Sequence, residues 1–247
     1  MSKIEIYKQF IENNICKFGD YKDSRNFQFN FHKLMSHPEI YIKVLEYISG
    51  KVEAYYGSVD SDSEAETETE QQSDFEETAS TAELVAESAE SGSSMVFKRV
   101  VATFAESYIF ACDIATSNSK GIMIPHLGNN FDCTNIRFPD VFDIDEPVIV
   151  VVHMLTEENC ENVVKIIKML ESYGTVVKGV LEIVNCNSGY DAPLILNNDK
   201  TYEHKHIFSI REICEYADNN NLVDSFYTEK FNFNAEVNTK KMAAKFA

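Results

Sequence analysis

One stretch, Pro147 to Val184, constrains what this chain can fold into more than any other: PVIVVVHMLTEENCENVVKIIKMLESYGTVVKGVLEIV. Its first apolar run, Val148 to Val152, is continuous and β-branched, the residue type that packs well on a pleated surface. Val163, Ile166, Ile167 and Leu170 then recur at helical spacing. Gly174 falls where such a helix would stop, since glycine enters the left-handed cap conformation at little steric cost. A second apolar run, Val176 to Val184, is broken only by Lys178, Gly179 and Glu182. Strands buried on both faces show no alternation of polarity, so this pattern predicts a βαβ unit in a buried parallel sheet. The expected class is α/β. The loop from His153 to Cys160 would lie at the carboxyl end of the first strand, where open α/β sheets bind ligands.

The rest of the chain reads as further helices and strands around that unit. Ile4, Tyr7, Phe10, Ile11 and Ile15 predict an opening helix over 4–16. Gly19 marks a turn, and Phe27, Phe29 and Phe31 alternate with Gln28 and Asn30 as in a half-buried strand. A second helix is expected from Ser36 to Val52, capped by Ser36, with Pro38 in its first turn and Ile42, Leu45 and Ile48 or Tyr41 facing inward. Order resumes at Met95, with a strand in VFKRVVATF, a helix from Glu106 to Thr116, a short strand from Gly121 to Ile124, and a long loop from Pro125 to Glu146. After a polar connection, HIFSIREICEYADNNN predicts a strand and a helix that Ser209 caps, Glu212 completing a capping box.

Charge and cysteine usage bound the setting. Of a formal net charge of -18, -12 falls between Ser58 and Ser94, which carry twelve acids and no Lys or Arg, so the remainder is only mildly acidic. Such a low-complexity segment cannot bury enough apolar surface to offset its ordering entropy, which predicts disorder. Ser61, Ser63, Thr67 and Ser73 each have an acid three residues on, a pattern that acid-directed kinases accept, so a protein partner reached through this segment is one expectation and a solubilising insertion is the plainer one. The acidity argues against nucleic acid or an anionic membrane as partner. Six cysteines are scattered without a CxxC pair, which fits reduced thiols in the cytoplasm better than disulfides or structural zinc. The opening MSKIEIYKQF has no apolar core of a secretory signal, and no run reaches the length of a membrane span.

Three segments together resemble the orotate phosphoribosyltransferases. IEIYKQFIENNICKFGDYKDSRNFQFNF is similar to that family's amino-terminal hood, Val148 to Val184 to its phosphoribosyl pyrophosphate strand, helix and next strand, and IFSIREICEYADNNN to its last strand and helix. The resemblance implies a type I phosphoribosyltransferase-like parallel sheet flanked by helices, a small hood, and a homodimer. It divides the chain into a hood with the first helices (1–57), an acidic insertion (58–94), a core (95–228) and a tail (229–247).

A phosphoribosyl pyrophosphate site has to hold several phosphate charges and Mg²⁺, which calls for backbone N–H groups in a small-residue loop, acids near the ribose, and cations. The family's loop reads roughly V-[VD]-D-D-x-x-T-[TA]-G-[TS]. Here His153 and Met154 stand at the paired acids, Thr156 matches, and Glu157, Glu158 and Asn159 replace small residues. By the same resemblance Glu106 stands where the family has a lysine, and Asn185 and Cys186 where it has the Asp-Arg pair used on the orotate carboxylate. Lys22 and Arg25 survive as basic residues. The expectation is therefore a catalytically inactive relative, a pseudoenzyme serving as dimeric scaffold or regulatory binding module, with no catalytic residue, cofactor or metal. Two alternatives stand beside it: an active pyrimidine phosphoribosyltransferase in which Lys22, Arg25 and Thr156 contact phosphate and ribose with Mg²⁺, and a self-assembling structural protein. Other candidate chemistry reads more plainly as structure: Glu203, His204 and His206 as a strand edge rather than a metal site, Cys160 as a buried helix start rather than a nucleophile, and the Phe27, Phe29 and Phe31 stripe as core or dimer surface. Glu182 needs a partner if buried, and could equally sit at a sheet margin.

Overall fold

The computed structural model describes residues 1–19, 27–57, 96–126, 137–139, 141–156, 159–186 and 202–224, with 226 and 229. The acidic segment 58–94, the tail from 230 onward, and Lys22, Arg25, Glu157 and Glu158 lie outside the described residues.

The predicted unit is present: β5 (Pro147–Val152), α5 (Cys160–Ser172) and β6 (Val176–Asn185). They belong to a five-stranded sheet with β3 (Arg99–Ala102), β4 (Gly121–Met123) and β7 (His204–Ser209), in the order β4-β3-β5-β6-β7, every pair parallel. Strand residues alternate between two buried faces, as a strand's period of two requires. Val148, Val150, Val152 and Val180 meet Val163, Ile166, Ile167 and Leu170 of α5. Each of these four α5 side chains is fully buried and contributes about 1.5–3 kcal/mol of transfer free energy as an upper figure. Ile149, Val151, Leu181 and Ile183 face the other way, against α1 (Lys3–Glu12), α3 (Pro38–Tyr56), α4 (Ala105–Ser117) and α6 (Ile210–Asn219).

Two irregularities in the βαβ sequence have local causes. Gly174 ends α5 at φ +85, and its carbonyl accepts the Asp145 N–H at 2.8 Å. Lys178 is the extra residue of a bulge, because Val148 pairs with Val177 and Ile149 with Gly179, and its side chain is exposed. Gly179 itself is packed too closely to carry a side chain: a Cβ there would lie 2.8 Å from the Glu203 carbonyl and 3.0 Å from the Tyr56 hydroxyl.

The amino-terminal part adds α1, a two-stranded antiparallel ribbon of β1 (Cys16–Phe18) and β2 (Phe27–Phe29), and α2 (Phe31–Met35). Aromatic rings join it to the sheet layer: Phe10 lies 5.1 Å from Phe29 and 5.4 Å from Phe208, and Phe31 lies 5.8 Å from Phe110. The three stripe phenylalanines are thus core. Glu212 of α6 draws α1 onto α6, accepting the Tyr7 hydroxyl and pairing with Lys3 at 2.6 Å.

Four local expectations are corrected. The opening helix stops at Glu12, because Asn14 turns at φ +55 and Cys16 enters β1, which pairs with β2. Phe31 does not extend the strand but opens α2, capped by Asn30, whose Oδ1 accepts the Lys33 N–H at 2.8 Å. Ser36 closes α2 rather than capping α3, and α3 buries Ile40, Val44, Ile48, Val52 and Tyr56 while Ile42 is 55% exposed. Ser209 precedes α6 but its side chain makes no capping bond, and Glu212 serves Tyr7 and Lys3 instead.

Candidate functional site

All five strands are parallel, so their carboxyl ends share one edge of the sheet. The chain steps from β3 outward to β4, then returns to β5 and proceeds the other way through β6 and β7. This reversal opens a crevice between the ends of β3 and β5, the place where open α/β sheets take ligands. Thr103 to Glu106 form one wall and His153 to Thr156 the other.

The β3 wall is closed by its own hydrogen bonds. Thr103 is buried, its hydroxyl donating to the Val151 carbonyl at 3.0 Å and lying 3.2 Å from the Ser107 hydroxyl. Ser107 Oγ accepts the Phe104 N–H at 2.8 Å, so this amide at the start of α4 is taken. Glu106 is exposed in the first helical turn, where the helix dipole favours an acid.

The β5 wall carries the residues singled out in the sequence, and they separate. His153 stands edge-on to two rings, Phe31 at 5.4 Å and Phe104 at 6.2 Å. Its Nδ1 is buried and has no hydrogen-bond partner among the described residues. Burial lowers its pKa from the ordinary value, opposed by the charge of Glu106, so the ring is held neutral. Met154, the neighbouring position, turns away into the core and is 6% exposed. Beyond it the described backbone groups of the loop find partners within the protein. Leu155 N–H donates to Glu182 Oε1 at 2.6 Å, and Thr156 N–H to Asn159 Oδ1 at 2.8 Å. Asn159 Nδ2 returns to the Met154 carbonyl at 2.8 Å, and the Cys160 N–H is taken by the Thr156 carbonyl at 3.0 Å.

Asn185 and Cys186 close the neighbouring strand end in the same manner. Asn185 Nδ2 donates to Glu182 Oε2 at 2.7 Å, and the buried Cys186 thiol lies 3.1 Å from the Leu155 carbonyl. Glu182 is fully buried and has His204 Nε2 at 3.1 Å as a third partner. Burial raises its pKa, and the three donors only partly offset this. Its two sequence readings are thereby decided in favour of a buried, partnered acid. His204 is turned inward on Glu182 rather than standing at a solvent-facing edge. Among the described residues no three His, Cys, Asp or Glu groups are placed to hold a metal ion. No helix among them is long and apolar enough to cross a membrane.

The structure therefore sets Glu106 near His153, leaves Thr156 bonded within the loop after β5, and folds Met154, Asn185 and Cys186 into the protein. Sequence reasoning named Asn159 only as a replacement for a small residue and His204 only at a strand edge. It missed the two hydrogen bonds by which Asn159 ties the loop and the partnership of His204 with Glu182, whose signal was an acid inside an apolar strand that demanded a partner. Among the described residues the end of β5 does not suit Mg²⁺: that ion takes oxygen ligands from carboxylates and substrate phosphates, whereas this strand end offers an uncharged imidazole and a buried thioether, with Glu106 the carboxylate brought near from α4.

No family model matches the chain, and no curated protein matches it. Solved structures do. Leishmania donovani UMP synthase superposes with a TM-score of 0.61 at 15% identity, over 96% of this chain and 43% of that one. Orotate phosphoribosyltransferase from Aeropyrum pernix gives 0.55 at 13% identity, over 86% of this chain and 99% of that one. Adenine phosphoribosyltransferase from Trypanosoma brucei, solved with AMP, pyrophosphate and ribose-5-phosphate, gives 0.54 at 8% identity, over 86% and 83%. The chain thus spans less than half the length of the Leishmania protein and nearly all of the Aeropyrum one. Identities this low speak for architecture alone: the chain has the α/β fold of the type I phosphoribosyltransferases.

Proposed function

We propose that this protein is a non-catalytic relative of orotate phosphoribosyltransferase, kept as a homodimeric scaffold or regulatory binding module. One observation supports the reading: in the loop after β5 the N–H groups of Leu155, Thr156, Asn159 and Cys160 are used internally. A pyrophosphate cradle works by aiming unoccupied N–H groups at the anion. Here Leu155 N–H serves Glu182 and Thr156 N–H serves Asn159, so a phosphate would have to displace a buried carboxylate from the first. The paired acids expected of the family are absent from the same place, and Glu106 turns a negative charge toward the crevice from α4.

Titration calorimetry with phosphoribosyl pyrophosphate and Mg²⁺, with and without orotate, tests this. The expected result is no saturable heat at millimolar ligand, and sedimentation at twice the chain mass. Micromolar binding with turnover would overturn the reading and restore an active transferase. Large assemblies without ligand binding would replace the dimeric module with a self-assembling protein.

A further inference from the structure

The turn that leads into β5 carries apolar side chains on the outside of the protein. Phe142 and Glu146 are buried in it, while Val141 is 89% exposed and Ile144 is 85% exposed. Exposed apolar residues scattered singly are ordinary, but these two adjoin a third. Tyr173, half-exposed at the end of α5, lies 6.1 Å from Phe142, and a Cβ at Gly174 would lie 4.0 Å from the Ile144 Cα. Glu146 precedes β5 and Gly174 precedes β6, so this surface stands at the amino edge of the sheet, opposite the crevice.

The turn is tied down from behind. Glu146 Oε1 accepts from Arg99 Nε at 2.8 Å and Oε2 accepts the Asp143 N–H at 3.1 Å. The Glu146 carbonyl accepts the Val176 N–H at 2.9 Å, and Asp145 N–H reaches the Gly174 carbonyl at 2.8 Å. The Arg99 guanidinium also lies 5.3 Å from the centre of the Phe142 ring. Val141 and Ile144 are therefore held outward by a fixed backbone.

We propose that this turn, together with Tyr173, is the docking surface for residues 238–247 of the same chain. That segment, NTKKMAAKFA, carries Lys240, Lys241 and Lys245 with no acid, and places Met242 and Phe246 four residues apart. The receiving stretch, 137–146, carries Asp140, Asp143, Asp145 and Glu146 against Arg137, and Glu146 is already matched by Arg99. Apolar side chains thus meet apolar ones and lysines meet aspartates.

Size and reach favour an occupant from the same chain. Three exposed side chains fall far short of the about 800 Å² per partner that a stable interface between separate molecules buries. A tethered segment needs less, because its linker holds it at an effective concentration on the order of millimolar. α6 begins at the carboxyl end of β7 and runs back along the sheet, so the chain leaves it at the amino edge. The roughly 16 residues from Asp224 to Lys240 can span about 50 Å, whereas β5 lies two strands, about 10 Å, from β7. The acidic segment 58–94 exceeds the turn in charge, but its large apolar residues are only Val59, Phe75, Leu84 and Val85. Salt separates these two destinations, since it screens exposed charge pairs and leaves apolar contact in place. The proposal is independent of phosphoribosyl binding.

Carbodiimide coupling of the full chain tests it, on an equal mixture of ¹⁴N- and ¹⁵N-labelled protein at about 0.3 M salt, where the Debye length is roughly 6 Å. Peptide mapping by mass spectrometry is expected to join Lys240, Lys241 or Lys245 to Asp143 or Asp145 in isotopically uniform pairs. Val141→Ser combined with Ile144→Ser should cut that yield by about tenfold, and should leave the melting temperature nearly unchanged because both side chains stand outside the core. Isotopically mixed pairs would assign the surface to a second copy. Links confined to the acids of 58–94, or a yield unchanged in the double variant, would reduce the contact to charge attraction. Either result, or the absence of links to Asp143 and Asp145, overturns the proposal. Should the double variant not fold, the positions of the wild-type links decide alone.

Discussion

Restoring the acids that the phosphoribosyltransferase pattern calls for, by His153→Asp and Met154→Asp, should give two unequal results. Met154 is 6% exposed and packed in the core on the face carrying Ile183 and Phe208. Removing a buried methionine side chain costs about 2–5 kcal/mol. Placing a carboxylate there adds the cost of burying a charge, which one unpaired partner commonly sets at about 3 kcal/mol or more. Taking the low end of both, Met154→Asp should cost about 5 kcal/mol at pH 7, comparable to the whole stability of a typical domain. His153 instead sits at the crevice and contributes two edge-on ring contacts, worth about 0.5–1.5 kcal/mol each. Adding repulsion from Glu106, His153→Asp should cost about 1–3 kcal/mol. Urea denaturation followed by circular dichroism measures both, and an unchanged slope with denaturant would show that the midpoint shift is a stability change. The Met154→Asp deficit should also shrink as pH falls. Burial raises the introduced carboxyl's folded pKa, so its cost is present at neutral pH and relieved as pH drops through that value. Equal deficits for the two variants, or a Met154→Asp deficit under about 1 kcal/mol, would refute the placement of Met154 in the core and of His153 at its margin.

Gly179→Ala should destabilise by about 1–3 kcal/mol, since the new methyl meets at 2.8 Å the Glu203 carbonyl, which accepts the Val180 N–H just before β7 and cannot shift without disturbing that pairing, and thermal melting reads this directly. Tyr56→Phe should be neutral or stabilising by up to about 1 kcal/mol, because the buried Tyr56 hydroxyl has no hydrogen-bond partner among the described residues; a loss larger than that would reveal a partner. His153→Gln should flatten the fall of stability below pH 6.5. Burial depresses this histidine in the folded state, so its contribution is complete above its ordinary value of 6.5 and lost as pH falls toward the folded one. A chemical denaturation series from pH 7.5 to pH 5 gives the comparison.

The βαβ unit was legible in the sequence because its signals are local: a β-branched run, one apolar helical stripe and a glycine stop. The inner face of α3 was not, because Ile40, Tyr41, Ile42, Val44, Leu45, Tyr47 and Ile48 make that helix apolar nearly all round, so spacing alone does not choose a stripe. Ribbon β1–β2 was half seen, since three-residue strands gain their identity from pairing rather than from propensity. At the carboxyl edge, the missing acids were readable position by position. The direction of each side chain was not: His153 and Met154 are neighbours in sequence and part company only when the strand end fixes which way each points. The partnership of Glu182 with His204 was equally hidden, because it depends on the register of β6 against β7.

The junction of α1 with α6 has a consequence for how the molecule is made. Tyr7 and Glu212 are 205 residues apart in the chain. At about 5–20 residues per second of synthesis, roughly 10–40 s pass between the emergence of the first and of the second. Throughout that interval Ile6 and Phe10 have no Phe208 or Ile213 to lie against. The newborn amino terminus is thus a sticky amphipathic helix waiting for its counterpart, and a ribosome stalled before residue 208 would display a greasy surface of the kind that chaperones grip.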